Sequence, residues 1–227
     1  MVLIARSVDD LDAVAHRIRR HGGEAHVLSV DLRDVVAAEA AAHSIFDEYG
    51  VPDVVVSNAG HSIHRTLDEY VDRAHDMTRL HAVNVQGPSA LLRVLIPRMR
   101  RAGGGSVVSV SSVSAVVPAA GWSAYGSSKA AADAWFLAIA QEVAPQIAIS
   151  LVRLPLVRTD MIAATRAYAR AAAMRPVDAA ALIARAIITR RRVIQPWWLP
   201  GLSALLALRP TALEKLLRAQ ERRTRQR

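Results

Sequence analysis

The chain has 227 residues, 52% of them hydrophobic, enough for one sizeable core. It has no cysteine, which excludes a disulfide framework, a thiolate metal site and a cysteine nucleophile together and fits a reducing cytoplasm. The net charge of +9 comes almost entirely from arginine, much of it beyond Arg185, and aromatic residues are only 4%, so a stacking surface for nucleic acid is not expected.

The opening MVLIARSVDD has a short apolar run and no basic stretch before it, so it reads as a strand, not as a signal peptide or a membrane span. After this strand, Val2 to Ala5, Ser7 caps a helix in which Leu11, Val14 and Ile18 share a face until Gly22-Gly23. A strand at Val27 to Val30 precedes a helix that carries Val35, Val36, Ile45 and Phe46 up to Gly50. Asp53 to Ser57 is a continuous apolar strand of the kind buried on both faces, broken by Asn58-Ala59-Gly60. A long helical stretch passes Leu80, Val83, Leu91, Leu92, Leu95 and Met99 before Gly103-Gly104-Gly105 turns into a strand at Val107 to Val110. A helix over about 123–143 and a strand at Ile147 to Leu154, closed by Pro155, follow. Two short helical segments, a brief strand near Val193 to Gln195 and a tail opening with Pro196-Trp197-Trp198 complete the pattern.

Strands alternating with helices predict an α/β fold, a Rossmann-type doubly wound parallel sheet with helices on both faces. One domain is expected over 1–196, followed by an amphipathic, basic tail at 197–227. In such sheets ligands sit beyond the carboxyl ends of the strands, here at Arg6, Asp31, Asn58, Ser111-Ser112 and Thr159.

Tyr125 and Lys129 are four residues apart on one helix, within reach of each other's charge. Ser112 ends a strand thirteen positions earlier, and Asn84 lies on a helix able to pack alongside. An ammonium near a phenol lowers its pKa, and a serine hydroxyl can bond a carbonyl oxygen, so the set suits proton transfer at neutral pH.

Asn58-Ala59-Gly60, Asn84 within Val83-Asn84-Val85-Gln86-Gly87, Ser112 after Val110-Ser111, and Tyr125-Gly126-Ser127-Ser128-Lys129, in this order, resemble the classical short-chain dehydrogenases/reductases from residue 1 to about 195. The resemblance implies an NADP(H)-dependent oxidoreductase. Tyr125 would be the general acid, Lys129 would lower its pKa and hold the ribose, Ser112 would orient the substrate oxygen, and Asn84 would position a water. It places Asp31 at the adenine and Thr159 at the nicotinamide carboxamide, with Asn58, Ala59 and Gly60 along the cofactor. Arg6 stands where an NAD enzyme has an acid and offers a guanidinium to a 2′-phosphate. Read on their own, Arg6 is an ordinary surface arginine and Asn58 a turn residue.

The family's first strand and Thr-Gly-x-x-x-Gly-x-Gly turn, which receives the pyrophosphate at a helix N-terminus, have no counterpart here. The expectation is a sheet short of about 30 residues, with an unfilled central slot between two exposed edges and little affinity for NADPH in the chain as written. A start placed too late in the gene is the reading preferred over a true truncation. Leu156 departs from the common Pro-Gly. The runs Ala59 to Arg65 and Leu154 to Thr165 resemble a bacterial subgroup containing fatty acyl-CoA reductases, which implies a lipophilic carbonyl substrate.

In the tail, Trp197-Trp198-Leu199 and Leu202 to Leu208 are apolar but interrupted by Pro200 and Gly201. They suit peripheral contact with the inner membrane face or a cover on an acyl cleft, or plain packing on the body. Homo-oligomers are expected through the helices near Leu91 and Trp135. His61 and His64 lack further ligands at metal-binding spacing, so no metal site is expected and they read as polar residues near the substrate mouth. A hydrolase is disfavoured because Gly60-His61-Ser62-Ile63-His64 has no second glycine. The rival from another class is a non-catalytic scaffold that keeps the fold without cofactor.

Overall fold

A computed structural model describes residues 1–159 and 172–208. The elements alternate as β1 (Val2–Ala5), α1 (Val8–Arg20), β2 (His26–Ser29), α2 (Val35–Tyr49) and β3 (Val54–Ser57). Then come α3 (His75–His81), a π-helical turn (Ala82–Gln86) and α4 (Gly87–Arg101). β4 (Gly105–Ser112), α5 (Ser123–Glu142), β5 (Ile147–Leu154), α6 (Pro176–Thr189), β6 (Val193–Ile194) and α7 (Leu199–Leu208) complete the order. Local signals set several boundaries. Ser7 accepts from the Asp10 amide to open α1, Asp34 accepts from the amides of Val36 and Ala37 to open α2, and Gly50 at φ 80° ends it.

Every strand pairing is parallel, as the alternation predicts, but the sheet is in two leaves. One holds β1 and β2; the other runs β3-β4-β5-β6. Ile4 and Leu28 of the first leaf and Val55, Val107, Ile149 and Leu151 of the second pack into one apolar cluster with α2, α4 and α5, so the leaves share a core. On the opposite face of the second leaf, α6 sets Ala179 and Ala186 against Val108, Val110 and Val152.

The division corrects the sequence reading of β3. Val54 and Val56 are in register with Ser106 and Val108, hence on the α6 face, and each is 40% exposed. α6 packs chiefly on β4 and β5, and α1 on β1 and β2, which leaves this face of β3 partly open. Smaller corrections have similar causes. α1 buries Leu11 and Ala15 while Val14 faces solvent, and Val36, in the first turn of α2, is 77% exposed. Pro200 sits in the first turn of α7, where a missing amide costs nothing, and opens that helix instead of interrupting it. Leu91 is spent in the chain's own core and offers nothing to a second copy, whereas Trp135 is half-buried. The stretch 160–165, quoted for the subgroup resemblance, and the basic end of the tail lie outside the described residues.

The long helical stretch expected from Leu80 to Met99 is two helices joined by the π turn, and Gly87 explains the junction. A Cβ on Gly87 would stand 1.8 Å from the carbonyl oxygen of Leu32, so only glycine lets α4 approach the loop after β2. Elsewhere in a helix, glycine to alanine stabilises by about 1 kcal/mol. Here the sign reverses: Gly87→Ala is expected to destabilise by about 3 kcal/mol, seen as a lower urea midpoint. An unchanged or raised midpoint would contradict the contact.

Candidate active site

The carboxyl ends of β3 and β4, the π turn and the start of α5 converge at one place. β4 runs three residues beyond its last pairing with β3, which carries Ser112 clear of the neighbouring strand. Ser112, still in register with Leu154 of β5, ends the strand, and its Oγ accepts from the Ser114 amide at 3.1 Å, starting a short 3₁₀ turn. The chain returns into α5 with Tyr125 in its first turn and Lys129 one turn later.

Asn84 lies within the π turn, a local widening that recurs at functional sites. Its amide is fully used. Oδ1 accepts from the His61 amide at 2.9 Å, and Nδ2 donates to the His61 carbonyl at 2.9 Å and to Ser128 Oγ at 2.8 Å. Ser128 in turn donates to the Tyr125 carbonyl at 2.7 Å. Asn84 thus clamps the loop after β3 to the helix bearing Tyr125 and Lys129. Gly60 is the point of closest approach, since a Cβ there would meet Asn84 Oδ1 at 3.0 Å and Lys129 Nζ at 3.4 Å.

The ionisation of the two central groups follows from burial. Lys129 is nearly inaccessible, and its Nζ donates to the Val110 carbonyl at 3.0 Å. Desolvation brings its pKa down to about 8, with the carboxylate of Asp133 opposing. Burial pushes the Tyr125 hydroxyl above the usual phenol value, and the neighbouring Ser112 hydroxyl pulls the other way. The expectation that Lys129 draws Tyr125 down is not met in this state. The lysine's hydrogen bond goes to β4, and loss of water outweighs other influences on the phenol. Both influences keep the phenol protonated near neutral pH, one helical turn from a buried ammonium.

Of the six other residues named from the sequence, four meet elsewhere and two do not join them. Arg6, Asp31, Ala59 and Gly60 line a cavity of about 260 Å³ between the two leaves, together with Arg33 and Arg79. Asp31 is engaged by Arg33, whose Nε donates to its carboxylate at 2.9 Å, and this holds its pKa down to about 2. Asn58 is exposed, and its amide donates to the Val56 carbonyl at 3.1 Å, as a turn residue does. Thr159 is exposed in a bend after β5, beyond the point where Leu156 and Arg158 bond to Met174. Three guanidinium groups facing one already neutralised carboxylate make the cavity suited to a phosphorylated, adenosine-sized group. Among the described residues no glycine-rich turn adds backbone amides to it.

Sequence reasoning put His64 near the substrate mouth but missed the outer wall it builds with Trp122 and Gly121. His64 packs edge-on against Trp122 with ring centroids 5.0 Å apart, and Trp122 meets Tyr125 at 5.9 Å. Gly121, at φ 75°, is required because a Cβ there would lie 2.3 Å from His64 Nε2. The Arg65 amide donates to the Gly121 carbonyl at 2.8 Å, and the Arg65 guanidinium pairs with Asp76, buried at the start of α3. Burial alone would raise the Asp76 carboxyl, but Arg65, His75 and Arg73 outweigh it and hold it below the usual range. Gly121 and His64 were legible residues, but nothing in their spacing said that they meet. Among the described residues, no group of three or more histidine or carboxylate side chains could hold a metal ion.

Comparison with known proteins agrees with this geometry. Residues 1–169 match the family model described as short chain dehydrogenase. A fatty acyl-CoA reductase of Acinetobacter baylyi is 35% identical over 86% of this chain and 66% of its own length. An uncharacterised oxidoreductase of Mycobacterium tuberculosis is 38% identical over 87% of the chain and 59% of its own length. The chain thus spans roughly six-tenths to two-thirds of these relatives. A fatty acyl-CoA reductase of M. tuberculosis is 35% identical over 96% of the chain and 74% of its own length. Among solved structures, a short-chain dehydrogenase from Streptomyces avermitilis superposes with a TM-score of 0.79 at 28% identity, covering 96% of this chain and 88% of that one. A metagenomic short-chain oxidoreductase in complex with NADP gives 0.72 at 28% identity, covering 86% and 82%. On the match over residues 1–169, the parallel α/β fold and these relatives, the chain belongs to the short-chain dehydrogenase family.

Proposed function

We propose that the protein transfers hydride between NADP(H) and the carbonyl carbon of a lipophilic substrate of the fatty acyl class. The observation that carries this reading is Tyr125 in the first turn of α5 next to Ser112 at the end of β4, with Lys129 buried one helical turn away. The relatives named as fatty acyl-CoA reductases support the substrate class, and the neighbour bound to NADP supports the cofactor.

The dinucleotide, when bound, supplies the hydride. Arg6 would face its 2′-phosphate, with Arg33 and Arg79 adding positive charge in the same cavity, and Asp31, Asn58, Ala59, Gly60 and Thr159 would lie along it. Tyr125 and Lys129 would meet its ribose. Ser112 donates a hydrogen bond to the substrate oxygen and fixes its direction. Tyr125 Oη gives that oxygen its proton as the alcohol forms. Lys129, charged below about pH 8, stabilises the phenolate left behind. Asn84 keeps the loop after β3 against α5, so that cofactor and acid share one frame, and positions a water for the proton's return.

The scaffold alternative draws on one observation, the lack of an amide cradle for a pyrophosphate among the described residues. The deciding assay is NADPH oxidation, at millimolar cofactor, against fatty aldehydes, acyl-CoAs and 3-oxoacyl thioesters. Turnover is expected, with a loss of at least about a thousandfold in Tyr125→Phe. Arg6→Ala is expected to cost affinity for NADPH and leave NADH unaffected. Turnover that survives Tyr125→Phe would overturn the mechanism, and none with any substrate class would leave the scaffold.

Contact with the membrane is the second part of the reading. No helix among the described residues is long and apolar enough to cross a membrane. α7, however, carries no charged residue, and Trp197 beside it is 91% exposed, with Leu205 and Leu208 also exposed. These residues follow the carboxyl end of β6, on the same side of the sheet as Ser112, and the sequence beyond them is basic. A peripheral seat at an anionic inner leaflet would give lipophilic substrates a short path. A second copy packing near Trp135 is the accompanying proposal for assembly. Flotation with anionic vesicles should carry the protein upward, and Trp197→Ser with Leu208→Ser should reduce the bound fraction severalfold. Equal flotation of both forms would remove the membrane contact.

A further inference from the structure

The chain has only two lysines, Lys129 and Lys215, among 29 basic residues. Arginine serves nearly everywhere, so the lysine at 129 stands where a compact ammonium with an adjustable pKa is needed. What adjusts it lies one turn further along α5. Asp133 follows Lys129 by four residues, which puts it on the same helix face, and it is 4% exposed.

The partners of Asp133 are unequal. Its Oδ2 accepts from Arg153 Nε at 2.8 Å, across the interface between α5 and β5. Arg153 does not complete a two-pronged pair, because its terminal nitrogen donates to Gln195 Oε1 at 2.9 Å instead. Asp133 Oδ1 is buried with no hydrogen-bond partner among the described residues. A carboxylate serving only to neutralise Arg153 would take both prongs of the guanidinium, which is the stronger arrangement. Here Oδ1 is left open, on a residue that shares its helix face with Lys129.

We propose that Asp133, anchored by Arg153 and Gln195, is a positioning residue for Lys129, keeping the buried ammonium charged and aimed at the Val110 carbonyl. The charged or titratable groups of the surrounding elements are Tyr125 and Asp133 on its own helix, Arg153 of β5, which bonds to Asp133, and His61 of the loop after β3, whose backbone bonds to Asn84. β4 presents a carbonyl and serine hydroxyls, and the π turn presents the neutral Asn84. Asp133 is thus the one carboxylate among them, and it opposes the desolvation that brings Lys129 to about pH 8. Without its charge, burial and the uncompensated Arg153 both act to deprotonate the lysine, so the cation disappears at lower pH. The consequence for turnover rests on the proposed function; the coupling between the two side chains does not.

Two lysines make the test direct. In protein labelled with ¹³C-lysine, the Cε shifts titrate as two signals, and Lys129→Met identifies which belongs to 129. The expected midpoint for Lys129 is near 8, with Lys215 as internal reference. Asp133→Asn should move the Lys129 midpoint down by about one pH unit, and Asp133→Glu should restore most of it. Should Asp133→Asn not fold, the double change Asp133→Asn with Arg153→Met removes the stranded cation and must also titrate below the parent protein. A midpoint unchanged in whichever of these folds overturns the proposal, as does failure of Asp133→Glu to restore it. The measurement needs neither cofactor nor substrate. A shifted midpoint in a protein without NADPH oxidation therefore sinks the enzymatic reading alone, and turnover with an immovable midpoint sinks this one alone.

Discussion

A buried ammonium is costly, and the site is organised around the one at Lys129. Taking such a charge out of water is tolerated only with close acceptors and a carboxylate in the vicinity. Three elements supply these conditions: β4 through the Val110 carbonyl, α5 through its own Asp133, and the loop after β3 through the closeness of Gly60. The same requirement explains the extent of the Asn84 network. If the loop after β3 swung away, water would reach the lysine and the environment that brings its pKa near neutrality would be lost. Positioning of the acid and tuning of its neighbour are thus one construction.

The outer wall follows a different principle. Arg65, Gly121, His64 and Trp122 join two loops that have little regular structure, and Asp76 anchors the assembly to α3 through a buried charge ringed by basic groups. Loops fastened at several points can hold a cavity open, whereas loops held only at their ends would relax into it. Rigidity here comes from contacts between loops more than from the strands behind them.

Much of this was legible in the sequence, and the boundary between what was and was not has a physical origin. Strands and helices were readable because their apolar spacing is local; α5, β1 and β5 lie almost where the pattern puts them. Ser112, Tyr125 and Lys129 were readable because a motif records several distances at once. The exposure of Val54 and Val56 was not, since burial depends on what covers a strand and three consecutive valines say nothing of that. Nor was the Tyr125 environment: helical spacing suggested an ammonium acting on a phenol, while the folded chain spends that ammonium's hydrogen bond on β4 and lets desolvation decide. Asp133 lay in plain view four residues after Lys129, but its meaning depends on Arg153 and Gln195, which come from distant parts of the chain.

The two-leaf sheet has a further bearing on how the molecule behaves in a crowd. β1 and β3 each have a neighbour on one side only, and such edges are templates on which another chain can add a strand. Short strands of four residues limit the grip of such pairing, and a net charge of +9 makes like molecules repel at low ionic strength. Salt screens that repulsion within about 8 Å at physiological strength. Colloidal stability in this protein is therefore tied to ionic strength, and the arginine surplus that has no part in the chemistry becomes the guard on these strand edges.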